Sequence, residues 1–398
     1  MKKSTRGILF LLTLFIASRC DSNHTEAPPK EPGQFVSVTP TTSYSYQQLQ
    51  VYASFLGLDD LTDLISHDVQ VYKMVYRTTF NETEITASGL LFLPQNLTAE
   101  AQIVSIHHGT TFVKDDVPSV SGEFSGVELF ASAGYVAIMP DYLGYGESAE
   151  VFHPYYDREH SALAVTDMVL ATGEFLASEG IPFDGRLFLT GYSEGGYVTM
   201  AAAHAIETGA LPNFSLTAVA AGAGGYDLPH MLSTIIEADE YDHPAYIGFL
   251  IMAYNNTYNW NLPLNYFFRD EYAAVLEEYM TGQYSDGAIN PKLPSSIEQL
   301  LHPDFFAGLM DPEGELEFKQ ALAMNAVSNW RASAPIRLYH GTSDDVVPYS
   351  NSEQTLESMT QAGSSAVSLT SIPGGSHGSS LVPMLILAIP WFEDLRQQ

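Results

Sequence analysis

The chain has 398 residues, enough for one large α/β domain with an insertion or for two domains, and its 45% hydrophobic and 12% aromatic content excludes global disorder. A formal charge of -31 at pH 7 argues against DNA or RNA as a partner, because nothing here would neutralise phosphates. An acidic surface of this kind reads as a means of solubility or a mark of a salty or extracellular habitat.

In chain order, Met1-Lys2-Lys3-Ser4-Thr5-Arg6 is a basic start, and Gly7 to Ala17 is an apolar run too short to span a bilayer comfortably. Ala17-Ser18-Arg19-Cys20 follows, and Cys20 is the single cysteine, so an internal disulfide framework is ruled out. A cysteine directly after an export-signal core resembles the lipobox of a bacterial lipoprotein, with Arg19 where that pattern prefers a small residue. The resemblance implies a signal segment over 1–20, Cys20 as the first, lipidated, mature residue, and a membrane-anchored protein in the periplasm or on the cell surface. The alternative is an ordinary secretory signal with an incidental cysteine and a freely secreted product. Residues 21–43 carry Ala27-Pro28-Pro29-Lys30-Glu31-Pro32-Gly33 and few apolar side chains, which reads as a flexible tether. Tyr44 to Ile65 reads as partly helical.

Val69 to Tyr76 and Ile85 to Leu93 alternate apolar and polar residues, as strands do, with Asn81-Glu82 in the turn between them. Ile103 to Ile106 and Tyr135 to Met139 are short apolar runs that stop at His107-His108-Gly109-Thr110 and Pro140-Asp141-Tyr142. Such runs, separated by helical stretches, predict a parallel sheet. Glu159 to Ser178 has a broad apolar helical face. The run Arg186 to Thr190 leads into Gly191-Tyr192-Ser193-Glu194-Gly195, and a small-residue helix pattern follows through Ala203. Leu216 to Gly222 is the next strand. From Asp227 to Ala332 the βα rhythm stops, and about a hundred aromatic-rich residues, too many for a loop, predict a mostly helical lid or cap. The rhythm resumes with a strand at Pro335 to Gly341, a helix at Ser352 to Ala362, a strand at Val367 to Ile372 and a final helix from Gly378.

A strand, a G-x-S-x-G turn and a helix make a nucleophile elbow, in which a serine is lifted on a tight turn whose neighbours must be nearly free of side chain. Such a serine needs a base, and the base needs an acid to fix its tautomer. His340-Gly341-Thr342-Ser343-Asp344-Asp345-Val346-Val347-Pro348 places a carboxylate after one strand, and Pro373-Gly374-Gly375-Ser376-His377-Gly378 places a histidine after the next. Asp345, one residue on, competes with Asp344, and Asp227 is a weaker rival. His340 reads as a support for the acid loop.

With these segments in this order, residues 65 to 395 resemble an α/β-hydrolase, and within that superfamily the chain is most similar to the secretory lipase and carboxylesterase branch. The branch features are Gly191 to Gly196, Met139-Pro140-Asp141-Tyr142, the Gly222 to Leu228 segment and the long insertion before the acid. The resemblance implies a mostly parallel central sheet flanked by helices, with a catalytic domain over 44–226 and 333–398 and a helical cap over 227–332. It implies Ser193 as nucleophile, Asp344 as acid and His377 as general base. The oxyanion hole would combine the backbone N–H of Glu194 with that of Thr110, or else Thr111, in the loop after Ile106. No cofactor is implied. His107 and His108 would face opposite sides of a strand, which is unsuited to a shared metal. The turn from Asp141 to Ser148 lacks the lysine of a phosphate loop and reads as structural.

Three functions compete. A serine carboxylic-ester hydrolase, working on a small-molecule or lipid ester through an acyl-enzyme, accounts for every motif. A serine peptidase of the same fold, of prolyl or dipeptidyl type, would use an identical triad, but no propeller-like repeat precedes the catalytic region. A non-catalytic surface lipoprotein would lack a triad member, and none is missing.

Overall fold

The computed structural model describes residues 33–398. The expected signal segment 1–20 with Cys20, and residues 21–32 of the expected tether, lie outside the described residues. The remainder of that tether is corrected: Phe35–Tyr44 is strand β1, paired antiparallel with β2 (Val69–Phe80). Pro40 hides the strand in the sequence. β1 is an edge strand whose register shifts between Pro40 and Thr42, and a bulged edge is where a sheet tolerates a residue without an N–H donor. Helix α1 (Tyr46–Phe55) follows, its start fixed by a Ser45–Gln48 capping box.

β2 and β3 (Thr83–Pro94) form the expected hairpin, with Asn81 and Glu82 both at positive φ in a two-residue turn that matches the sheet's twist. Next come β4 (Ala101–His107), the short helices α2 (Pro118–Ser121) and α3 (Val127–Ser132), and β5 (Val136–Pro140). Then follow α4 (Arg158–Ser178), β6 (Phe183–Tyr192), α5 (Glu194–Glu207) and β7 (Ser215–Gly222). After the insertion, β8 (Ile336–Gly341), α14 (Tyr349–Gln361), β9 (Val367–Ile372) and α15 (Leu381–Arg396) complete the chain.

The sheet has nine strands in the order β1-β2-β3-β5-β4-β6-β7-β8-β9. Its first three pairings are antiparallel, and every pairing from β5–β4 to β8–β9 is parallel. Alternate side chains feed two cores. Leu187, Leu189 and Val219 pack with α4 and α5 on one face, while Phe188, Ala218 and Ala220 pack with α3 and α15 on the other. The C-terminal ends of the parallel strands therefore line up along one rim, with β4, β6 and β8 as near neighbours. The motif loops after β4, β6, β8 and β9 all emerge there.

Between β7 and β8 the chain is mostly helical: α6 (Leu228–Glu237), α7 (Pro244–Thr257), α8 (Leu264–Phe267), α9 (Asp270–Tyr279), α10 (Asp286–Ile289), α11 (Ile297–Leu300), α12 (Pro303–Met310) and α13 (Leu316–Asn325), with one 3₁₀ turn at Asn290–Lys292 and a single antiparallel bridge between Phe268 and Leu301. Its aromatic residues are chiefly its own core. Phe267, Phe268 and Phe305 are each at most 1% exposed, and Phe305 packs edge-on against Phe267.

Candidate active site

Ser193 follows the last residue of β6 and precedes the first of α5, at φ 61° and ψ -126°, a region that L-residues rarely adopt. Two glycines make the turn possible. A Cβ on Gly191 would collide with the carbonyl of Gly195, and a Cβ on Gly195 would collide with the carbonyl of His107. The serine is thus held out from the sheet rim while α5 directs its free N–H groups toward it.

His377 Nε2 lies 2.8 Å from Ser193 Oγ, and its Nδ1 lies 2.8 Å from Asp344 Oδ2. The Asp344 side chain is fully buried. Burial pushes its carboxyl up, but hydrogen bonds from His340 and His377 and their charge interactions outweigh that and hold it well below the usual carboxylate range. Its other oxygen, Oδ1, accepts the backbone N–H groups of Val346 and Val347 at 2.9 Å each. An ionised Asp344 only accepts, so the His377 proton sits on Nδ1 and Nε2 is free to accept from the serine hydroxyl. Tyr192, beside the serine, donates its hydroxyl to the His377 carbonyl at 2.7 Å and steadies the loop.

The rival acids stand elsewhere. Asp345 is exposed; its Oδ1 accepts only the backbone N–H of His377, at 3.3 Å, and its Oδ2 lies 3.8 Å from His243. Asp227 caps α6, accepting from His230 N, and takes the Ser328 hydroxyl on its other oxygen. His340 is fully buried, with Nε2 3.2 Å from Asp344 Oδ2 and 3.0 Å from the Val347 carbonyl, while Nδ1 meets the Ser352 hydroxyl at 2.7 Å. That is a brace for the acid loop.

The loop after β4 passes directly beside the elbow: a Cβ on Gly109 would sit 3.7 Å from Ser193 Cβ. Thr110 follows, and its hydroxyl lies 3.1 Å from the Tyr155 hydroxyl. Among the described residues the backbone N–H groups of Glu194 and Thr110 have no backbone partner. His107 and His108 part company, as expected for adjacent strand residues. His107 is buried between the Ser105 and Thr199 hydroxyls, and burial, aided by the neighbouring His108, lowers its pKa to about 3, so it is neutral. Thr199 donates onward to the Gly195 carbonyl, tying the neutral ring to the elbow's first helical turn. The Asp141 turn is structural, its carboxylate accepting the Ser88 hydroxyl and the Ser119 N–H. Among the described residues no group of three or more His, Cys, Asp or Glu side chains is arranged to hold a metal ion.

Two apolar spaces flank the serine. A narrow cavity of about 20 Å³ opens on Ser193 itself, walled by Tyr155, Tyr156, Met231, Ile235, Tyr246 and Leu250. A larger one of about 350 Å³ lies behind the β4 loop, between α15 and the segment around α3. Three neighbours of the site had no motif to mark them, Tyr155, Tyr156 and His153, and Tyr192 stood inside the elbow motif with nothing to mark its contact to His377. His153 places Nε2 2.7 Å from Glu194 Oε1. A buried carboxylate in the elbow demands a partner, and that was the available signal; nothing in the sequence said which histidine would supply it.

A sequence model of the family described as secretory lipase matches residues 123–396. Lipase 2 of Candida albicans is 24% identical over 227 residues, which are 54% of this chain and 45% of that protein. The chain thus spans less than half the length of this curated relative. Among solved structures, a protein from Legionella pneumophila superposes with a TM-score of 0.83 at 25% identity, over 92% of this chain and 99% of the other. The rice cell wall degrading esterase LipA from Xanthomonas oryzae gives 0.78 at 25% identity, over 93% and 98%. Lipase A of Candida antarctica gives 0.62 at 14% identity, over 87% and 77%, a likeness of fold alone.

Proposed function

The chain belongs to the secretory lipase family and has the α/β-hydrolase fold, and from that premise we propose that it is an exported serine hydrolase of carboxylic esters. The observation that carries the reading is the unbroken relay from Ser193 Oγ through His377 to Asp344, 2.8 Å at each step.

Ser193 attacks the ester carbonyl as His377 Nε2 takes its proton. The tetrahedral oxyanion is met by the N–H groups of Glu194 and Thr110, each contributing about 3 kcal/mol of transition-state stabilisation. His377 then returns the proton to the leaving alcohol, and an acyl-enzyme forms on Ser193. Water, activated by the same imidazole, releases the acid and restores the serine. Asp344 stays ionised throughout and stabilises the imidazolium that forms at each transfer.

The acyl group enters the cavity against Ser193. That cavity is narrow and walled by aromatic and branched apolar side chains, so short acyl groups fit best. The basic and apolar N-terminus supports export, and Cys20 supports a lipid anchor that would hold the enzyme at a membrane surface. The test is turnover of p-nitrophenyl esters from acetyl to dodecanoyl by the wild type and Ser193→Ala. Turnover should be highest for short chains and should vanish in the folded variant. An unchanged rate in Ser193→Ala disposes of the assignment, and a preference for dodecanoate disposes of the short-acyl reading alone.

A further inference from the structure

Glu194 supplies the backbone donor next to the nucleophile, yet its side chain is a carboxylate buried to 2% exposure in the same site. A negative charge there opposes the oxyanion its own N–H is meant to stabilise, unless something cancels it. His153, 5% exposed, is the group in contact, with Nε2 2.7 Å from Glu194 Oε1. Its Nδ1 lies 2.7 Å from the Leu143 carbonyl oxygen. A carbonyl only accepts, so Nδ1 carries a proton, and with Glu194 ionised Nε2 meets it as a second donor. The surroundings suit a cation. The His153 ring lies among Tyr145, Phe249, Tyr155 and Tyr142, with centroids 4.7, 5.8, 6.0 and 6.1 Å away. The loop is shaped around it as well. Gly144 stands at φ +92°, and a Cβ there would collide with the His153 backbone.

We propose that His153 is a positioning residue for the oxyanion hole: as an imidazolium it locks the Glu194 side chain and neutralises it, leaving the Glu194 N–H to face the oxyanion unopposed. The inference rests on Ser193 being the nucleophile. The titratable groups that face Glu194 are tyrosines: Tyr142 and Tyr145 after β5, Tyr155 and Tyr156 before α4, and Tyr246 on α7. Burial first, with other charges including Glu194 adding to it, holds each above the usual phenol range, so none supplies or removes charge near neutrality. His108, stacked on Tyr142 at 4.1 Å, makes no hydrogen bond to Glu194; its ring nitrogens meet the carbonyls of Gly109 and Asp141. The group in direct contact with the Glu194 carboxylate is therefore His153.

The test is a double-variant cycle on the full-length enzyme with p-nitrophenyl acetate, read as kcat and KM from pH 5 to pH 9. His153→Gln should lower kcat at pH 8 by roughly 10- to 100-fold, the order of effect of an uncompensated charge at short range, with KM within about two-fold. His153→Gln/Glu194→Gln should recover most of the loss. A purely structural role predicts the reverse, a double variant no better than His153→Gln, and that outcome overturns the proposal. Should His153→Gln fail to fold, ¹⁵N NMR of histidine-labelled wild type and Glu194→Gln decides the matter. Both His153 ring nitrogens should carry protons in the wild type and only one in Glu194→Gln; a neutral ring in the wild type refutes the idea. Ser193→Ala keeps the two readings apart, since activity surviving there would sink the mechanism itself, while a dead Ser193→Ala beside an unaffected His153→Gln would sink only this inference.

Discussion

Replacing Asp344 by Asn separates the acid from its competitor more sharply than any other single change. The carboxylate has four donors: the N–H groups of Val346 and Val347 on Oδ1, and His377 Nδ1 and His340 Nε2 on Oδ2. An amide offers one oxygen and one NH₂. If the oxygen keeps the two backbone donors, the NH₂ faces His377 and must donate to Nδ1. The imidazole proton then moves to Nε2, pointing at Ser193, and the base is lost while the geometry survives. For a buried acid–imidazole pair this swap costs about four decades in kcat, or about 5 kcal/mol. Asp345→Asn keeps an oxygen to accept from His377 N and gives up only an exposed charge 3.8 Å from His243, so kcat should stay within about three-fold. Stability offers a second readout. Asp344 has a depressed folded pKa, so its contribution is fully present above the unfolded value of about 4 and is lost as pH falls through the folded value. The variant should therefore melt below the wild type at pH 7, and the gap should narrow below about pH 4. The assay is steady-state hydrolysis of p-nitrophenyl butyrate on variants whose circular dichroism matches the wild type. More than about a tenth of wild-type kcat in Asp344→Asn, or an equal loss in Asp345→Asn, would refute the assignment of the acid.

Ile235, 2% exposed, walls the cavity at Ser193, and Ile235→Ala should enlarge it at a stability cost of about 2–5 kcal/mol. The ratio of hexanoate to acetate turnover should rise at least about five-fold; an unchanged ratio would mean the acyl group lies elsewhere. Asp167 on α4 is a buried carboxylate whose burial raises its pKa to about 6. Its charged form is disfavoured in the fold, so the penalty is absent below about pH 4 and complete above pH 6. Asp167→Asn should accordingly raise the melting temperature at pH 8, by at most about 3 kcal/mol of stability, and change it little at pH 4. An equal shift at both values would contradict the burial argument.

The parallel half of the fold was legible because its strands are buried on both faces. Ile103 to Ile106 and Leu216 to Gly222 read as near-continuous apolar runs, and the polar residues that end them are those that reach the rim. The elbow that brings Ser193 to His377 was legible for a related reason, since its glycines are forced by contacts with Gly195 and His107 that any sequence using this turn must relieve. β1 was not, because an edge strand needs neither alternation nor a continuous set of N–H donors, and Pro40 broke the pattern where the sheet could absorb it. The His153–Glu194 pair was equally silent. Its members are forty-one positions apart and are joined by a loop fold that local sequence does not encode.

The insertion supplies several walls of the cavity at Ser193, and its attachment shows how firmly it is held. Tyr254 on α7 donates to the Tyr156 carbonyl at 3.1 Å, and Tyr197 on α5 shares its one hydroxyl proton between that carbonyl and Asn325 O on α13. Tyr258 donates to Asp157, the cap of α4, while the Asn325 side chain bonds both Tyr258 and the Arg158 N–H. Tyr156 itself sits at positive φ, 55°, which presents one carbonyl to two buried hydroxyls. To swing α7 and α13 away would break the four contacts that cross to the catalytic body (Tyr254–Tyr156, Tyr197–Asn325, Tyr258–Asp157 and Asn325–Arg158), at about 1 kcal/mol each, and expose the largely buried α7 to water. The aromatic insertion is therefore a roof bonded to the catalytic helices. Selectivity must then arise from the shape of the space it leaves over Ser193, which is why enlarging that space at Ile235 is the change expected to alter which ester is preferred.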